Sequence, residues 1–191
     1  MAETFWSAQS ADPKRKFRWY VEFTNDEGNL LQLSAKMIKK PSFEIGNTQH
    51  KWINHTFNFP ARLEWKEVTL SLVDIGSSTK DVTATLQKII QNSGYQAPTD
   101  QERAKASITK NNSVAAFGNN FRIKQINAEG SPVETWTLIN PWVRAIEFGD
   151  LDYASDDLVE ISLTIVYDYA TFEGAGDGNR LSAGNILKSL L

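Results

Sequence analysis

The side chains best suited to metal chemistry are two histidines. His50 and His55 are the only histidines among the 191 residues of the chain. Successive side chains of a β-strand point to opposite faces. Five positions apart on one predicted strand, the two imidazoles are expected to face opposite sides, so we do not expect them to share a metal ion. Each is interpreted as an ordinary surface residue.

The carboxylates are densest near residue 155. A calcium loop needs a tighter pattern of oxygen ligands with a glycine at the bend, and a pair of catalytic acids needs a pocket. We interpret this cluster as a turn, and the glycine-rich segment 174–178, which lacks the dinucleotide-binding spacing, as a linker. No nucleophile has a recognisable setting. The sequence predicts no catalytic residue, metal or cofactor and no enzyme activity; the clustered carboxylates are Asp150, Asp152, Asp156 and Asp157.

Size and composition predict one soluble domain with arms. A chain of 191 residues buries roughly two-thirds of its unfolded surface. Cysteine is absent, which excludes disulfides and fits assembly in a reducing cytoplasm. The net charge of −3 gives no footprint for tight nucleic-acid binding, which usually needs a basic face, and the basic clusters 14–18 and 36–40 are interpreted as solvated. No apolar run approaches a membrane span, and residues 1–16 lack the apolar centre of a secretory signal.

The elements that would position any site are mostly strands. Residues 158–169 alternate apolar and polar side chains, which predicts a long half-buried strand paired with residues 142–148. Residues 77–93 have helical spacing, with Ser78 or Thr79 as the cap and Gly94 at the end. The predicted fold is mainly β: an antiparallel sandwich or barrel of about eight strands with one flanking helix. Further strands are predicted at 17–23, 31–37, 63–73, 121–126 and 133–139, and residues 42–47 and 49–59 are expected to be extended and to form a strand pair.

The predicted organisation has three parts. An N-terminal arm covers residues 1–16, the β domain covers 17–170, and a C-terminal extension covers 171–191. Within the domain the helix is expected at about 78–93 and a long polar loop at 95–120. A loop of that length is usually a contact or regulatory element, or disordered. Between residues 49 and 59, Asn54, Thr56 and Asn58 share one face, opposite Ile53, Phe57 and Phe59. That polar face is expected to be exposed to solvent or to line a wet pore.

The order of these segments resembles the tail tube proteins of contractile-tailed bacteriophages and, more distantly, the tube proteins of type VI secretion and pyocin-like machines. The resemblance spans residues 16–172 and includes a long hairpin around residues 37–59. Four stretches carry the rest of it: FRWYVEF (17–23), LEWKEVTLSL (63–72), WTLINPW (136–142) and LDYASDDLVEISLTIVYDY (151–169).

The resemblance implies a structural virion protein whose hexameric rings stack into the inner tube of a contractile tail. Two hairpins per subunit, carried over to residues 31–59 and 121–139, would join across six subunits into a barrel around the lumen. DNA would pass through without specific binding. The tail sheath protein would lie outside, and baseplate and terminator proteins would lie at the ends. The particle would assemble in the host bacterial cytoplasm.

Site residues follow from the same implication. Asn54, Thr56 and Asn58 are predicted to face the lumen. Two other functions stay open: a baseplate tube initiator or tube-end protein of the same fold, and a monomeric β-sandwich binding module. The residues predicted to contact neighbouring subunits or rings are Phe5, Trp6, Tyr95, Phe117, Leu187 and Leu190.

Overall fold

Antiparallel strands are the main regular elements of the structure. The computed structural model describes residues 13–23, 28–76 and 81–174, without the side chains of residues 28–30. The mainly β, sandwich-like prediction is confirmed, although no sheet closes into a barrel within the described residues. The strands in chain order are β1 (Trp19–Phe23), β2 (Ala35–Ile38), β3 (Ser42–Trp52), β4 (His55–Lys66), β5 (Val68–Val73), β6 (Asn120–Ile126), β7 (Pro132–Ile139), β8 (Trp142–Glu147), β9 (Glu160–Val166) and β10 (Tyr169–Gly174). The helices are α1 (Gly28–Ser34), α2 (Val82–Asn92) and α3 (Lys110–Phe117).

Two four-stranded sheets enclose one core. The first sheet has the strand order β1-β6-β7-β10, and the second has β2-β5-β9-β8. Alternate residues of both sheets point inward, and the three helices add further apolar side chains to the same core. Core residues that are fully buried include Val21, Phe121 and Leu138 from the first sheet and Leu70, Leu72, Leu163 and Ile165 from the second.

The predicted strand at 158–169 is two strands in different sheets. Its alternation is correct, because Ile161, Leu163 and Ile165 are all buried. β9 ends at Val166, however, and the Asp168 amide donates to the Ile139 carbonyl, so the chain crosses from the second sheet to the first. β10 then pairs with β7 as far as Gly174, beyond the predicted domain end at residue 170. A two-residue period continues through such a crossing, so it does not reveal it.

The helix predicted near 78–93 is present as α2, with a different cap. The Asp81 carboxylate accepts a hydrogen bond from the Ala84 amide at 2.9 Å. This satisfies a free amide at the start of the helix. Ser78 and Thr79, the predicted caps, lie outside the described residues. Gly94 follows the helix with φ +106° and donates to the Gln91 carbonyl, which confirms its predicted closing position.

Two predicted segments are corrected. The strand expected from residue 31 begins as α1, in which Leu31 is buried and Leu33 is 73% exposed. That pattern contradicts an alternating strand, and Ser34 shares the buried helix face with Leu31 because residues three apart align. The long loop predicted at 95–120 contains α3, whose Thr109 hydroxyl accepts from the Asn112 amide. Its mostly polar composition concealed a helix that buries Val114 and Phe117.

Candidate interaction surface: an unpaired hairpin

The β3–β4 hairpin is separate from both sheets. Its two strands pair only with each other among the described residues and form a two-stranded sheet. A hairpin alone is marginally stable in water, and its two edges leave backbone donors and acceptors without partners. Most of its large apolar side chains are about half exposed, unlike those of the sandwich. They are Phe43, Ile45, Trp52, Ile53, Phe57, Phe59 and Leu63.

The tip of the hairpin has one polar face and one aromatic face. Ile53 and Asn54 form its turn, and residues opposite each other across the two strands share a face. The Asn47 amide donates to the Asn58 side-chain oxygen at 3.2 Å along the polar face. The polar face carries Asn47, Gln49, Lys51, Thr56 and Asn58, and the aromatic face carries His50, Trp52, His55, Phe57 and Phe59.

A β-bulge exchanges the two faces halfway along the hairpin. Asn47 pairs with Pro60 and Ile45 pairs with Leu63, so Ala61 and Arg62 both lie opposite Gly46. The extra residue on β4 reverses the alternation of that strand beyond it, while β3 keeps its own alternation. Between the bulge and the base of the hairpin, apolar side chains lie on the same side as the polar face of the tip. They are Phe43, Ile45, Leu63 and Trp65. Apolar surface thus lies on opposite sides of the base and the tip.

The base of the hairpin is anchored to the sandwich through aromatic rings. Phe43 packs edge-on against Trp65, with 5.4 Å between the ring centroids, and the ring centroids of Trp65 and Tyr167 are 5.9 Å apart. The Tyr167 hydroxyl donates to the Lys66 carbonyl at 2.8 Å, and burial raises the pKa of this phenol to about 12. On the opposite face Lys66 pairs with Glu44 at 2.6 Å. The base thus faces its own core, while the aromatic face of the tip has no partner within the described residues.

Pro60 lies inside β4, although the extended segment predicted from the sequence stops just before it, at residue 59. Proline has no amide to donate, so it is tolerated in strands mainly at edges and bulges. Here it is next to the bulge in a two-stranded sheet. Its position therefore meets that requirement without interrupting the hairpin.

The structure places the predicted lumen residues on the exposed hairpin tip. Thr56 and Asn58 share the polar face, opposite Phe57 and Phe59, as the alternation predicted, whereas Asn54 lies in the turn. Whether this face lines a lumen stays a prediction.

The predicted contact residues fall into three groups. Tyr95 is 47% exposed beside α2 and is accessible to a partner. Phe117 is corrected, because it is 1% exposed and packs against Phe23 and Phe121 inside the core, where no neighbouring subunit can reach it. The remaining four lie outside the described residues: Phe5, Trp6, Leu187 and Leu190.

The histidine prediction also needs correction. The turn at residues 53–54 folds the chain back, so His50 and His55 lie on the same face of the hairpin, one step apart diagonally. Residues on either side of a hairpin turn follow the pairing register and not the spacing along a single strand. Within the described ranges no three His, Cys, Asp or Glu side chains cluster closely enough to hold a metal ion.

The aspartate-rich segment forms local turns. The Asp152 carboxylate accepts from the Ala154 amide at 2.9 Å, and the Ser155 hydroxyl accepts from the Asp157 amide at 3.2 Å. Side chains of this kind stabilise turns by bonding to the backbone two residues away. The predicted turn is confirmed. Among the described residues, no helix is long and apolar enough to span a membrane.

One charged site was missed from the sequence. Glu134 is buried on the inner face of β7, where it accepts hydrogen bonds from Lys14, from Lys40 at 2.6 Å and from the Trp136 indole at 2.6 Å. Burial raises the pKa of this carboxyl, but the lysine and indole hydrogen bonds outweigh it and lower the pKa to about 2. The alternation of β7, which puts Glu134 on the same side as Trp136 and Leu138, was the signal that could have found it.

The fold is similar to that of chains from contractile injection systems. One similar chain comes from the six-fold symmetrised baseplate of the anti-feeding prophage, with TM-score 0.62, 18% identity and coverage of 86% of this chain and 98% of that one. Another comes from the sheath–tube complex of an extracellular contractile injection system in the extended state, with TM-score 0.57, 15% identity and coverage of 91% and 99%. A third, from the sheath/tube terminator of such a system, has TM-score 0.60, 12% identity and coverage of 86% and 99%. At these identities the likeness is one of fold.

A match to a protein-family model identifies the family of the chain. Residues 15–171 match the model of the T4-like virus tail tube protein gp19, and the chain belongs to this family. The resemblance stated from the sequence is thereby confirmed. Comparison of the sequence with curated proteins found no match. The chain is therefore a structural tail tube protein of the contractile class.

Proposed function

We propose that this protein forms hexameric rings that stack into the inner tube of a contractile phage tail, through which DNA leaves the particle. The observation that carries the proposal is the unpaired β3–β4 hairpin with an aromatic tip face. Free strand edges and exposed rings are a liability for an isolated chain, and pairing with sister subunits removes both. The family to which the chain belongs supports this assignment.

The two faces of the hairpin tip would then have different environments. The aromatic face would pack on a neighbouring subunit, and the polar face would line the channel. The polar face carries neutral, well-hydrated amide and hydroxyl groups on Gln49, Thr56 and Asn58, and one cation on Lys51. A single ammonium group among amides would attract phosphate without reading sequence, so DNA would pass without a specific contact. The net charge of −3 supports low adhesion as well.

The rest of the particle follows from this assignment. We propose that the sheath protein surrounds the tube, that baseplate and terminator proteins contact its two ends, and that the tube assembles in the bacterial host. The role is mechanical and requires no catalytic group. A tube initiator of the baseplate would have the same fold and differs in its assembly: it would cap an existing tube and would not polymerise alone.

Electron microscopy of the purified protein tests the proposal. Six-fold rings or tubes are expected at high concentration. Rings that never stack would indicate the initiator, and a strictly monomeric protein at millimolar concentration would contradict both assignments and favour a binding module.

A pair of variants tests the role of the hairpin. Phe57 and Phe59 are each about half exposed, so a neighbour could bury about 100 Å² more of each ring, worth about 2.5 kcal/mol per ring. The double variant Phe57→Ser/Phe59→Ser should therefore lose ring formation while it keeps its fold. The matched control is Thr56→Ser/Asn58→Ser on the polar face, which should still form rings. Equal assembly of the two variants would refute the assignment of the faces.

A further inference from the structure

A cleft with a lysine rim opens between the two sheets, beside the start of β1 and the end of β2. Its volume is about 530 Å³. Apolar side chains that also pack on the core form its walls, and the Glu134 carboxylate lies among them. The walls include Trp19, Ile38, Ile123 and Trp136, and the rim carries Lys14, Lys16, Lys36 and Lys40. We call it the lysine-rimmed cleft.

The rim has more positive than negative charge. Lys14 and Lys40 share the single carboxylate of Glu134, and Lys36 pairs with Glu160. Lys16 is exposed and forms no ion pair with another residue that the structure describes. Exposed ammonium groups above indole walls suit a ligand that combines carboxylates with aromatic rings, because rings pack on the walls and carboxylates pair with the rim.

One segment of the chain has this composition. Residues 1–12, MAETFWSAQSAD, contain two carboxylates, two adjacent aromatic residues and no lysine or arginine. The opposite terminus does not match, because residues 175–191 contain Arg180 and Lys188 against one aspartate. Charge therefore favours the N-terminal segment. We propose that the lysine-rimmed cleft binds the N-terminal segment of a second copy of this chain, with Phe5 and Trp6 against the indole walls and Glu3 at the rim.

The start of the described chain explains why the segment belongs to another copy. Lys14 is held at the rim by Glu134, and the Gln125 amide donates to the Arg15 carbonyl at 3.1 Å. The segment therefore leaves from the edge of its own cleft, and it would have to reverse direction to enter it. Twelve extended residues reach about 40 Å, enough to reach a neighbour. Each copy would supply one segment and one cleft, a head-to-tail contact that repeats around a ring or along a stack.

This inference rests on the proposed self-assembly, and cross-linking tests it separately. The chain contains no cysteine, so single cysteines report unambiguously. Ser7→Cys places a thiol beside the aromatic pair, and Met37→Cys places one at the cleft, where Met37 is 60% exposed. The two full-length variants, one carrying a size tag, are mixed under assembly conditions and oxidised. A mixed disulfide dimer is expected at least tenfold above the yield obtained with Leu151→Cys, whose parent side chain is 87% exposed but outside the cleft.

Charge reversal supplies a second readout. Lys16→Glu in the Met37→Cys chain should reduce the mixed dimer at least fivefold, because the rim would then repel Glu3. The control Lys88→Glu, on the exposed face of α2, should leave the yield unchanged. Equal yields from the two reversals would overturn the proposed rim contact.

The outcomes separate the two proposals. Wild-type rings without the mixed dimer would overturn this inference and leave the tube assignment standing. A disulfide within one chain of the Ser7→Cys/Met37→Cys variant, without mixed dimers, would show that the segment folds into its own cleft and would also overturn it. Mixed dimers from a protein that forms neither rings nor tubes would support the contact and refute the tube. A monomer without cross-links would refute both.

Discussion

The buried Glu134 carboxylate should make stability strongly dependent on pH. Its pKa is lowered from 4.5 to about 2 by the hydrogen bonds from Lys14, Lys40 and Trp136, which outweigh the opposing effect of burial. One pKa unit corresponds to about 1.4 kcal/mol, so this lowering of the pKa corresponds to about 3 kcal/mol of stabilisation of the folded protein. We therefore expect Glu134→Gln to lower the free energy of unfolding by about 3 kcal/mol at pH 7.

The direction of the pH effect follows from the lowered pKa. An unfolded chain binds the proton near pH 4.5, whereas the folded chain binds it only near pH 2. The stabilisation is complete above pH 4.5 and is lost as the pH falls towards 2. At pH 3 about 2 kcal/mol of it has been lost, so wild type and Glu134→Gln should then differ by only about 1 kcal/mol.

Urea denaturation between pH 3 and pH 7 measures this difference. The protein should be dilute enough to be monomeric, so that assembly adds nothing to the apparent stability. The matched control is Glu129→Gln in the exposed β6–β7 turn, which should follow wild type at every pH. Wild-type and Glu134→Gln curves that stay parallel across this range would refute the assignment of the stabilisation to the Glu134 carboxylate.

Three further substitutions test local features, each by a different signal. Asp81→Ala removes the cap of α2 and should cost about 1 kcal/mol in thermal unfolding, with Asp81→Asn restoring most of it; no loss would mean that another residue caps the helix. Gly94→Ala should cost at least about 2 kcal/mol, since Gly94 has φ +106° and a Cβ would lie 2.5 Å from the Ser107 carbonyl oxygen; a neutral result would contradict this backbone geometry. Ile53→Gly should slow hydrogen exchange of the hairpin amides about threefold to fivefold, because φ +52° strains a β-branched residue; faster exchange would contradict the strain.

Alternation predicted the sandwich well because its strands are buried on one face. Ile161, Leu163 and Ile165 on β9 all point inward, and the β6–β7 hairpin pairs as expected. Where one face is buried, a shift by one residue would expose the whole apolar set, so the sequence must keep the period. The same argument explains why the helix at α2 was found: Val82, Leu86 and Ile89 occupy one buried stripe.

The errors occur where local pattern and tertiary contact disagree. Leu31 and Leu33 fit an alternating strand, yet they belong to α1, since only Leu31 finds a place in the core. The turn at Ile53 was missed because a β-branched residue seldom adopts φ +52°, so neither glycine nor asparagine marked the first turn position. Because the position of that turn was not predicted, two features that depend on it could not be predicted either. They are the common face of His50 and His55 and the bulge beside Pro60.

The Glu134 site illustrates a different limit. Its three donors come from the chain before β1, from the segment after β2 and from β7 itself. These segments are far apart in sequence, and only the packing of the two sheets brings them together. A buried acid in an otherwise apolar strand was visible from alternation, but its partners were not.

The bulge opposite Gly46 shows that the number of residues in a hairpin strand decides which way its side chains point, and this limits any redesign of the hairpin. Adding a single residue to β4 between the bulge and the tip would turn Phe57 and Phe59 to the side now occupied by amides and hydroxyls, because successive side chains of a strand point to opposite faces. Lengthening each strand by two residues conserves the present orientation. A protein engineer who wants a longer ribbon, or a variant channel lining, must therefore count in pairs.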